Sequence, residues 1–168
     1  FLKALSQYDL LVTPRKSNLE QLKELSSGKI IYLPFAYNPY VHYEETSLSP
    51  EDEKLYGCDL MFFGGADKDR VPYIQALIRS GFKIKLYGGY WDKLSETQPY
   101  SMGIVSPAVL RKAVKASKVA LNLVRRSNRD GHVMRTFEAP AMGACMLTEE
   151  TEEHREIFGS DTVPFFKT

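Results

Sequence analysis

The sequence VALNLV (residues 119–124) leads into RRSNRDGHVMRTFEAPAMG (125–143) and then into ACML (144–147). The two flanking pieces are short and apolar, as buried strands are, whereas the middle piece starts polar and ends at a glycine. This pattern predicts a strand, a polar loop, a short helix and a second strand, in that order. A succession of such units is typical of an α/β fold with a parallel sheet.

The middle segment is rich in arginine. It holds four arginines and two carboxylates, namely Arg125, Arg126, Arg129, Arg135, Asp130 and Glu138. A helix N-terminus adds unpaired N–H groups and a partial positive charge, so the loop and helix start predict a site for an anion such as phosphate. Glu138 would repel that anion unless it meets a neutral hydroxyl part of the ligand. A ribose diol fits this role.

From residue 58 onward, strand-like and helix-like segments alternate. The predicted strands cover 59–64, 83–87, 103–105, 119–124, 144–147 and 163–166. The predicted helices cover 71–79, 107–118 and 149–158. This order predicts a doubly wound, Rossmann-like parallel sheet whose first and fourth strands lie side by side. Ligands bind where such strands diverge, and the loops at that point are 64–70 and 125–132.

The first 45 residues predict a smaller βαβ unit, with strands at 8–13 and 29–33 and a helix at 17–26. A unit of this size cannot bury both of its faces, so it is expected to pack on other structure. Prolines and acidic residues then predict a linker at 46–56 and a main domain at 57–168. Because the chain begins at Phe1 rather than at Met, we expect it to be a piece of a longer protein.

Length and composition disfavour several classes of protein. The 168 residues, 43% apolar and 26% charged, fit a soluble globular protein with one full-sized core. A formal net charge of +1 argues against a nucleic-acid partner, which would need a strong basic excess. No apolar run reaches the ~18 residues of a membrane span, and no signal-like start is seen. Cys58 and Cys145 adjoin apolar runs and are predicted to be core thiols, compatible with a cytoplasmic setting.

The motif RTFEAPAMGA (135–144) points to a family. Together with Asp130, seven intervening residues before Glu138, and with FFGG (62–65) and LYG (86–88), it resembles the donor-binding signature of two-domain glycosyltransferases of the GT-B fold. The residues of the motif are most similar to those of the CgeB-like (spore maturation protein) branch. The resemblance covers roughly residues 57–160, and it departs from the family at the first acidic position, which is Asp130 rather than Glu.

The resemblance implies that 57–168 form the C-terminal, nucleotide-sugar-binding domain of a glycosyltransferase, and that 1–45 are the last βαβ fragment of its N-terminal acceptor domain. In that family the second acidic residue, here Glu138, contacts the ribose of a nucleoside diphosphate sugar. The short third strand and its following turn offer backbone groups to the base. This carries over Gly103, Ile104 and Val105 as base-binding candidates.

Two sets of site residues are predicted. The candidates for catalysis are Arg135, which lies in the motif, and His132, a loop histidine that is expected to touch the transferred sugar. The other donor-binding candidates are Gly64, Gly65, Arg70, Arg126, Asp130, Gly131, Val133, Thr136 and Glu138. The two glycines let backbone approach a phosphate closely, and the absence of G-x-G-x-x-G disfavours a nicotinamide dehydrogenase.

No metal ion and no further cofactor are predicted. Asp67-Lys68-Asp69 spells the D-x-D motif with which other glycosyltransferases bind a divalent ion, but acidic residues at a helix start are explained by capping and by the helix dipole. The arginines and helix N–H groups are expected to neutralise the diphosphate leaving group instead.

Two other functions stay open. One is a nucleotide-sugar-binding or spore-coat assembly module without turnover, and the other is a sugar-nucleotide epimerase of GT-B-like architecture. The sugar, base and acceptor are not specified by the sequence. Since the missing N-terminal domain would supply the acceptor, these 168 residues alone are expected to bind donor with little transfer.

Overall fold

A computed structural model describes residues 2–126 and 131–167. The chain opens with a 3₁₀ helix at Leu2–Gln7 and continues with strand β1 (Leu10–Thr13), helix α1 (Leu19–Leu25) and strand β2 (Lys29–Tyr32). The two strands pair in parallel, with Leu10 opposite Lys29, in a sheet of their own. The predicted βαβ unit is therefore confirmed, and we call residues 2–32 the N-terminal unit.

The remainder of the chain forms one parallel sheet with helices on its faces. Its strands are β3 (Cys58–Phe63), β4 (Ile84–Tyr87), β5 (Ser101–Gly103), β6 (Ser117–Asn122), β7 (Met146–Glu149) and β8 (Phe165–Phe166). Its helices are α2 (Pro50–Tyr56), α3 (Val71–Arg79), α4 (Pro107–Ala116), α5 (Arg135–Ala141) and α6 (Glu152–Phe158). We call this part, residues 50–167, the main domain.

The strand order in the main domain is β5-β4-β3-β6-β7-β8, and every pairing is parallel. The first strand of this sheet, β3, thus lies between the second, β4, and the fourth, β6. This is the doubly wound order that the sequence predicts, and it places the reversal of strand order between β3 and β6. The loop 64–70 and residues 125–126, which follow β6, leave the sheet at that point, and residues 131–134 lead from there into α5.

Several boundaries differ from the predicted ones for local reasons. Strand β5 ends at Gly103, so Ile104 and Val105 follow the strand instead of forming it. Strand β7 begins only at Met146, because α5 is closed by a left-handed Gly143 and by an N–H···O bond from Ala144 back into the helix. The last helix begins at Glu152 rather than at residue 149, since the Thr151 hydroxyl caps it.

The segment predicted to be a linker contains a short helix. Helix α2 begins at Pro50, and the Ser49 hydroxyl accepts a hydrogen bond from the N–H of Asp52. Asp52 pairs with Lys112 of α4 at 2.7 Å, and α2 packs along α4. Because of this contact, residues 50–56 pack as part of the main domain instead of forming an extended linker.

The core lies on both faces of the main sheet. Alternation along β3 sends Met61 and Phe63 to one face and Leu60 and Phe62 to the other. Helices complete the two layers with Ala113, Val114, Ala139 and Met142 on the first face and Ile74 on the second. Cys58 is buried in the first layer as predicted, but Cys145 is exposed, because it precedes β7 instead of lying within it. None of the described helices is both long and apolar enough to cross a membrane.

Candidate functional site

A cleft of about 390 Å³ opens where β3 and β6 diverge. It is lined by the β3–α3 loop, by the segment that leads into α5, and by two residues that precede the main domain. The lining residues are Arg15, Phe35, Phe63, Gly64, Gly65, Arg70, Arg125, Val133, Met134, Arg135 and Glu138. The structure therefore brings Gly64, Gly65, Arg70, Val133, Arg135 and Glu138 of the predicted set together in one cavity.

Arg135 is a buried cation at the start of α5. Its Nε donates to the carbonyl of Phe63, its Nη1 donates to Asn122 Oδ1 at 3.3 Å, and its guanidinium lies 4.5 Å from the ring centre of Phe62. Among residues 2–126 and 131–167, no carboxylate lies within ion-pair distance of it. Burial lowers the pKa of Arg135 to about 9, so the group stays charged at neutral pH. No residue of the described part of the chain serves as its counter-ion.

The glycine turn after β3 is shaped around this arginine. Gly64 has a φ of 147°, and a Cβ at this position would collide with Nη2 of Arg135. Its carbonyl accepts from the indole N–H of Trp91 at 2.7 Å, and its N–H donates to Tyr87. Gly88, with a φ of 134°, is packed equally closely, since a Cβ there would meet the Gly64 carbonyl. These contacts form a floor without side chains beneath the cleft.

Arg70 supplies a second buried cation. Its Nη1 donates to the carbonyl of Gly65 at 3.1 Å and lies 3.2 Å from Asp67 Oδ2, while its buried Nε has no hydrogen-bond partner in the structure. Burial lowers its pKa. Arg125 reaches the same carboxylate at 2.8 Å, so one aspartate serves two arginines of the cleft. A buried donor without a partner is rare in proteins and is the kind of group that a ligand satisfies.

Both carboxylates of the D-x-D motif, Asp67 and Asp69, are engaged within the protein. Asp67 Oδ1 accepts the backbone N–H groups of Asp69 and Arg70, and Asp69 accepts the backbone N–H of Arg126 at 3.2 Å. Within the described part of the chain, no group of three His, Cys, Asp or Glu side chains could hold a metal ion. The side chain of Arg126 is exposed and does not line the cleft.

Glu138 lies on the first turn of α5 with 16% of its side chain exposed. Nε2 of His42 lies 3.7 Å from its carboxylate, and Nδ1 of the same ring accepts the N–H of Asn38 at 3.2 Å. The proton of neutral His42 is therefore on Nε2, the nitrogen that faces Glu138. This leaves the glutamate partly open to the cleft, with a hydrogen-bond donor on its far side.

His132 lies beneath the cleft surface and is fully buried. Its Nδ1 bonds to Glu153 of α6, and its Nε2 accepts the backbone N–H of Phe35 at 3.0 Å. The same glutamate accepts the backbone N–H of Lys16, and the His132 carbonyl accepts a hydrogen bond from Arg15. Both ring nitrogens are thus engaged, Nε2 by the segment after the N-terminal unit and Nδ1 by Glu153, which in turn holds Lys16 of that unit. His132 does not line the cleft.

Thr136 is also fully buried, and its hydroxyl holds the start of α5 in place. Its Oγ1 accepts from the N–H of Val133 at 3.1 Å and from Asn122 at 3.3 Å. The hydroxyl lies 2.9 Å from Nε2 of His154, whose Nδ1 bonds to the carbonyl of Glu149. Thr136 and the buried Gly131 therefore support the cleft without lining it. The predicted residue Asp130 lies outside the described residues.

A smaller recess of about 170 Å³ adjoins the cleft, and the two cavities share Phe63 and Gly64. The remaining lining residues are Tyr87, Gly88, Ile104, Val105 and Leu110. Two of the three predicted base-binding residues thus line one cavity. The third, Gly103, lies behind it, where its carbonyl accepts the N–H of Gly88 at 2.8 Å.

Sequence reasoning missed the part of the site that precedes the main domain. Arg15 and Phe35 line the cleft, and His42 flanks Glu138. One signal was available for Arg15, because it follows β1 closely and the ends of parallel strands are where α/β sheets present functional groups. Nothing in the local sequence marks Phe35 or His42.

Comparisons with known proteins agree with this architecture. No curated protein matches the chain. The solved structure of sucrose-phosphate synthase from Thermosynechococcus elongatus superposes with a TM-score of 0.65 at 14% identity, over 99% of this chain and 47% of that one. The chain thus spans about half of that relative, and the likeness shows a GT-B Rossmann-like fold. A family model described as glycosyl transferase-like matches residues 70–168, and the chain therefore belongs to the glycosyl transferase-like family.

Proposed function

We propose that this chain binds a nucleoside diphosphate sugar and takes part in transferring its sugar to an acceptor, as a member of the CgeB-like branch. The observation that carries the proposal is the buried Arg135, which has no paired carboxylate among the described residues and lies beside a glycine turn in a cleft at the reversal of strand order. A diphosphate would supply negative charge to pair with this arginine.

The cationic groups of the cleft fit a leaving-group role. Transfer of the sugar leaves negative charge on the diphosphate, and fixed donors in a partly dry site stabilise such charge more than water does. Arg135 is held in place by the Phe63 carbonyl and Asn122, and Arg70 by the Gly65 carbonyl. Their positions are set before the ligand arrives, so little reorganisation accompanies the reaction.

The neighbouring groups divide the rest of the donor between them. The carboxylate of Glu138 is an acceptor for the two ribose hydroxyls, and Nε2 of His42 lies 3.7 Å from it. The recess beside Ile104 and Val105 is narrow and largely apolar, as suits the flat face of a base. The acceptor, in this proposal, is held by an N-terminal domain of the same protein that precedes these residues.

The proposal is tested by calorimetry with UDP and GDP on the 168-residue chain. We predict that Glu138→Ala weakens nucleotide binding by about 1.5 to 3 kcal/mol, roughly ten- to a hundred-fold, because hydrogen bonds to a charged group are lost. Glu96→Ala is the matched control, since this glutamate pairs with Arg79 on the surface and lies outside the cleft. Equal affinity of Glu138→Ala and the parent would remove this glutamate from the site, and a parent that binds neither nucleotide would overturn the proposal.

Binding is also predicted to need no metal ion. Asp67 is engaged by Arg70 and Arg125, so it is not free to coordinate a cation between the carboxylates and the diphosphate. Titrations in excess chelator and in magnesium are expected to agree within a few-fold. A hundred-fold loss of affinity in chelator would assign Asp67 and Asp69 to a metal site instead.

Turnover is tested separately from binding. The full-length protein is expected to release nucleoside diphosphate when an acceptor is supplied, without forming an epimer of the donor sugar. Formation of the epimer would indicate isomerase chemistry, and tight binding without release of product would indicate a binding module.

A further inference from the structure

Arg15 lines the cleft but belongs to the N-terminal unit. It follows β1 by two positions, and its Nη1 donates to the carbonyl of His132 in the segment before α5. Its guanidinium lies 5.7 Å from the ring centre of Phe35, which also lines the cleft. The side chain is thus oriented from two sides while one face of it remains open to the cavity.

Among the described residues, not every arginine of the cleft pairs with a carboxylate. Arg70 and Arg125 share the carboxylate of Asp67. Glu153, which acts on Arg15 electrostatically, has its oxygens engaged by the His132 ring and by the N–H of Lys16. Across the described ranges, no carboxylate lies within ion-pair distance of Arg15, which is also true of Arg135. Two cleft arginines from different units therefore have no paired carboxylate in residues 2–126 and 131–167.

We propose that Arg15 binds the diphosphate of the donor together with Arg135, so that the phosphate site is shared between the N-terminal unit and the main domain. The proposal rests on the proposed function and adds to it a residue that precedes the main domain. A diphosphate carries at least two negative charges at neutral pH, and each unpaired arginine would neutralise one. Nucleotide binding would then draw the N-terminal unit and the main domain together.

The experiment measures binding of the parent and of three variants to UDP and GDP and to the corresponding nucleosides, uridine and guanosine, by calorimetry. Arg15→Ala removes both the charge and the bond to His132, whereas Arg15→Gln removes the charge and keeps an N–H donor in reach of that carbonyl. Lys16→Ala is the matched control, because this neighbour pairs with Glu156 at the same junction and does not line the cleft.

Both Arg15 variants are expected to bind the nucleoside diphosphate about ten- to a hundred-fold more weakly than the parent, the loss typical of one hydrogen-bonded ionic contact. Their affinity for the nucleoside should stay within about two-fold, since the arginine contacts phosphate alone. Lys16→Ala should match the parent with every ligand.

Other results would overturn the proposal in distinct ways. Unchanged diphosphate affinity in the Arg15 variants, with a loss in Glu138→Ala, would leave the proposed function intact and remove Arg15 from the phosphate site. An equal loss for the diphosphate and the nucleoside would show that Arg15 acts by joining the two units. A parent that binds no nucleotide would refute the proposed function and this inference together.

Discussion

The N-terminal unit and the main domain use the same βαβ arrangement with opposite burial. Strand β3 of the main domain is buried at five of its six positions, whereas β1 of the N-terminal unit is buried only at Thr13. Leu10 and Val12 of β1 are about half exposed. The N-terminal unit is nevertheless fixed to the main domain, through Arg15, Lys16 and the segment that follows β2.

The two regions are held in place by different kinds of interaction. The main domain is stabilised by apolar burial on both faces of its sheet, which is the larger and less specific contribution. The N-terminal unit is positioned by a few directional polar contacts that converge on His132 and Glu153, close to the cleft. Such contacts contribute less to stability and more to the accuracy with which the units meet at the site.

The largest effect is expected in the core of the main domain. Leu86 of β4 is fully buried, and Leu86→Ala should lower the free energy of unfolding by about 2 to 5 kcal/mol, because it removes buried methyl groups and leaves a cavity. Leu10→Ala in β1, at 49% exposure, should change it by less than about 0.5 kcal/mol. Urea unfolding of both variants measures the contrast. A large loss in Leu10→Ala would mean that the outer face of β1 is covered in solution.

The second-largest effect is expected at the polar contacts around His132 and Glu153, which join the N-terminal unit to the main domain. His132→Ala removes the ring that satisfies Glu153 and leaves that carboxylate buried, which should cost about 3 kcal/mol. Amide exchange should accelerate more in residues 10–32 than in β3, β4 or β6. Lys16→Ala, which removes the exposed pair with Glu156, should leave the urea midpoint close to that of the parent, because solvent screens such a pair. If exchange accelerates uniformly over the chain, the two units are held together by more than this junction.

The smallest effect concerns a histidine wholly within the main domain. Burial lowers the pKa of His154 below its ordinary value of 6.5, so the unfolded chain binds a proton there more readily than the folded chain does. Well above pH 6.5, His154 makes no pH-dependent contribution to the free energy of unfolding. That free energy should fall as the pH drops through and below 6.5. We expect His154→Gln to show a smaller difference in unfolding midpoint between pH 7.5 and 5.5 than the parent. An identical difference would place the pH dependence at other groups.

Much of the main domain could be predicted because its signals are local. The apolar spacing of 71–79, with Gly81 after it, gave the bounds of α3, and the Ser106-Pro107 start of α4 is capped as such a pair usually is. Predictions failed where an element is set by its neighbours. Strand β5 stops at Gly103 because its hydrogen bonds to β4 end there, and α2 is held by its pairing with α4.

The residues of the cleft also fall into a group that could be predicted from the sequence and a group that could not. The residues that follow β3 and open α5 could be predicted, because the order of the strands alone brings these loops together. Arg15 meets His132 across 117 positions of sequence, and no local pattern specifies how the N-terminal unit packs on the main domain. Thr136 and His132 show the converse, since the motif includes the first and the preceding loop the second, but the structure buries both beneath the cleft.

The floor of Gly64 and Gly88 also limits how this site can diversify. A side chain at either position would displace Arg135 or separate the ends of β3 and β4, so few substitutions are compatible with this part of the cleft. The rim is different, because Ile104 and Met134 are 86% and 53% exposed and border the two cavities. Under the proposed function, a change of donor preference is therefore expected to come from substitutions at the rim, with Gly64 and Gly88 kept.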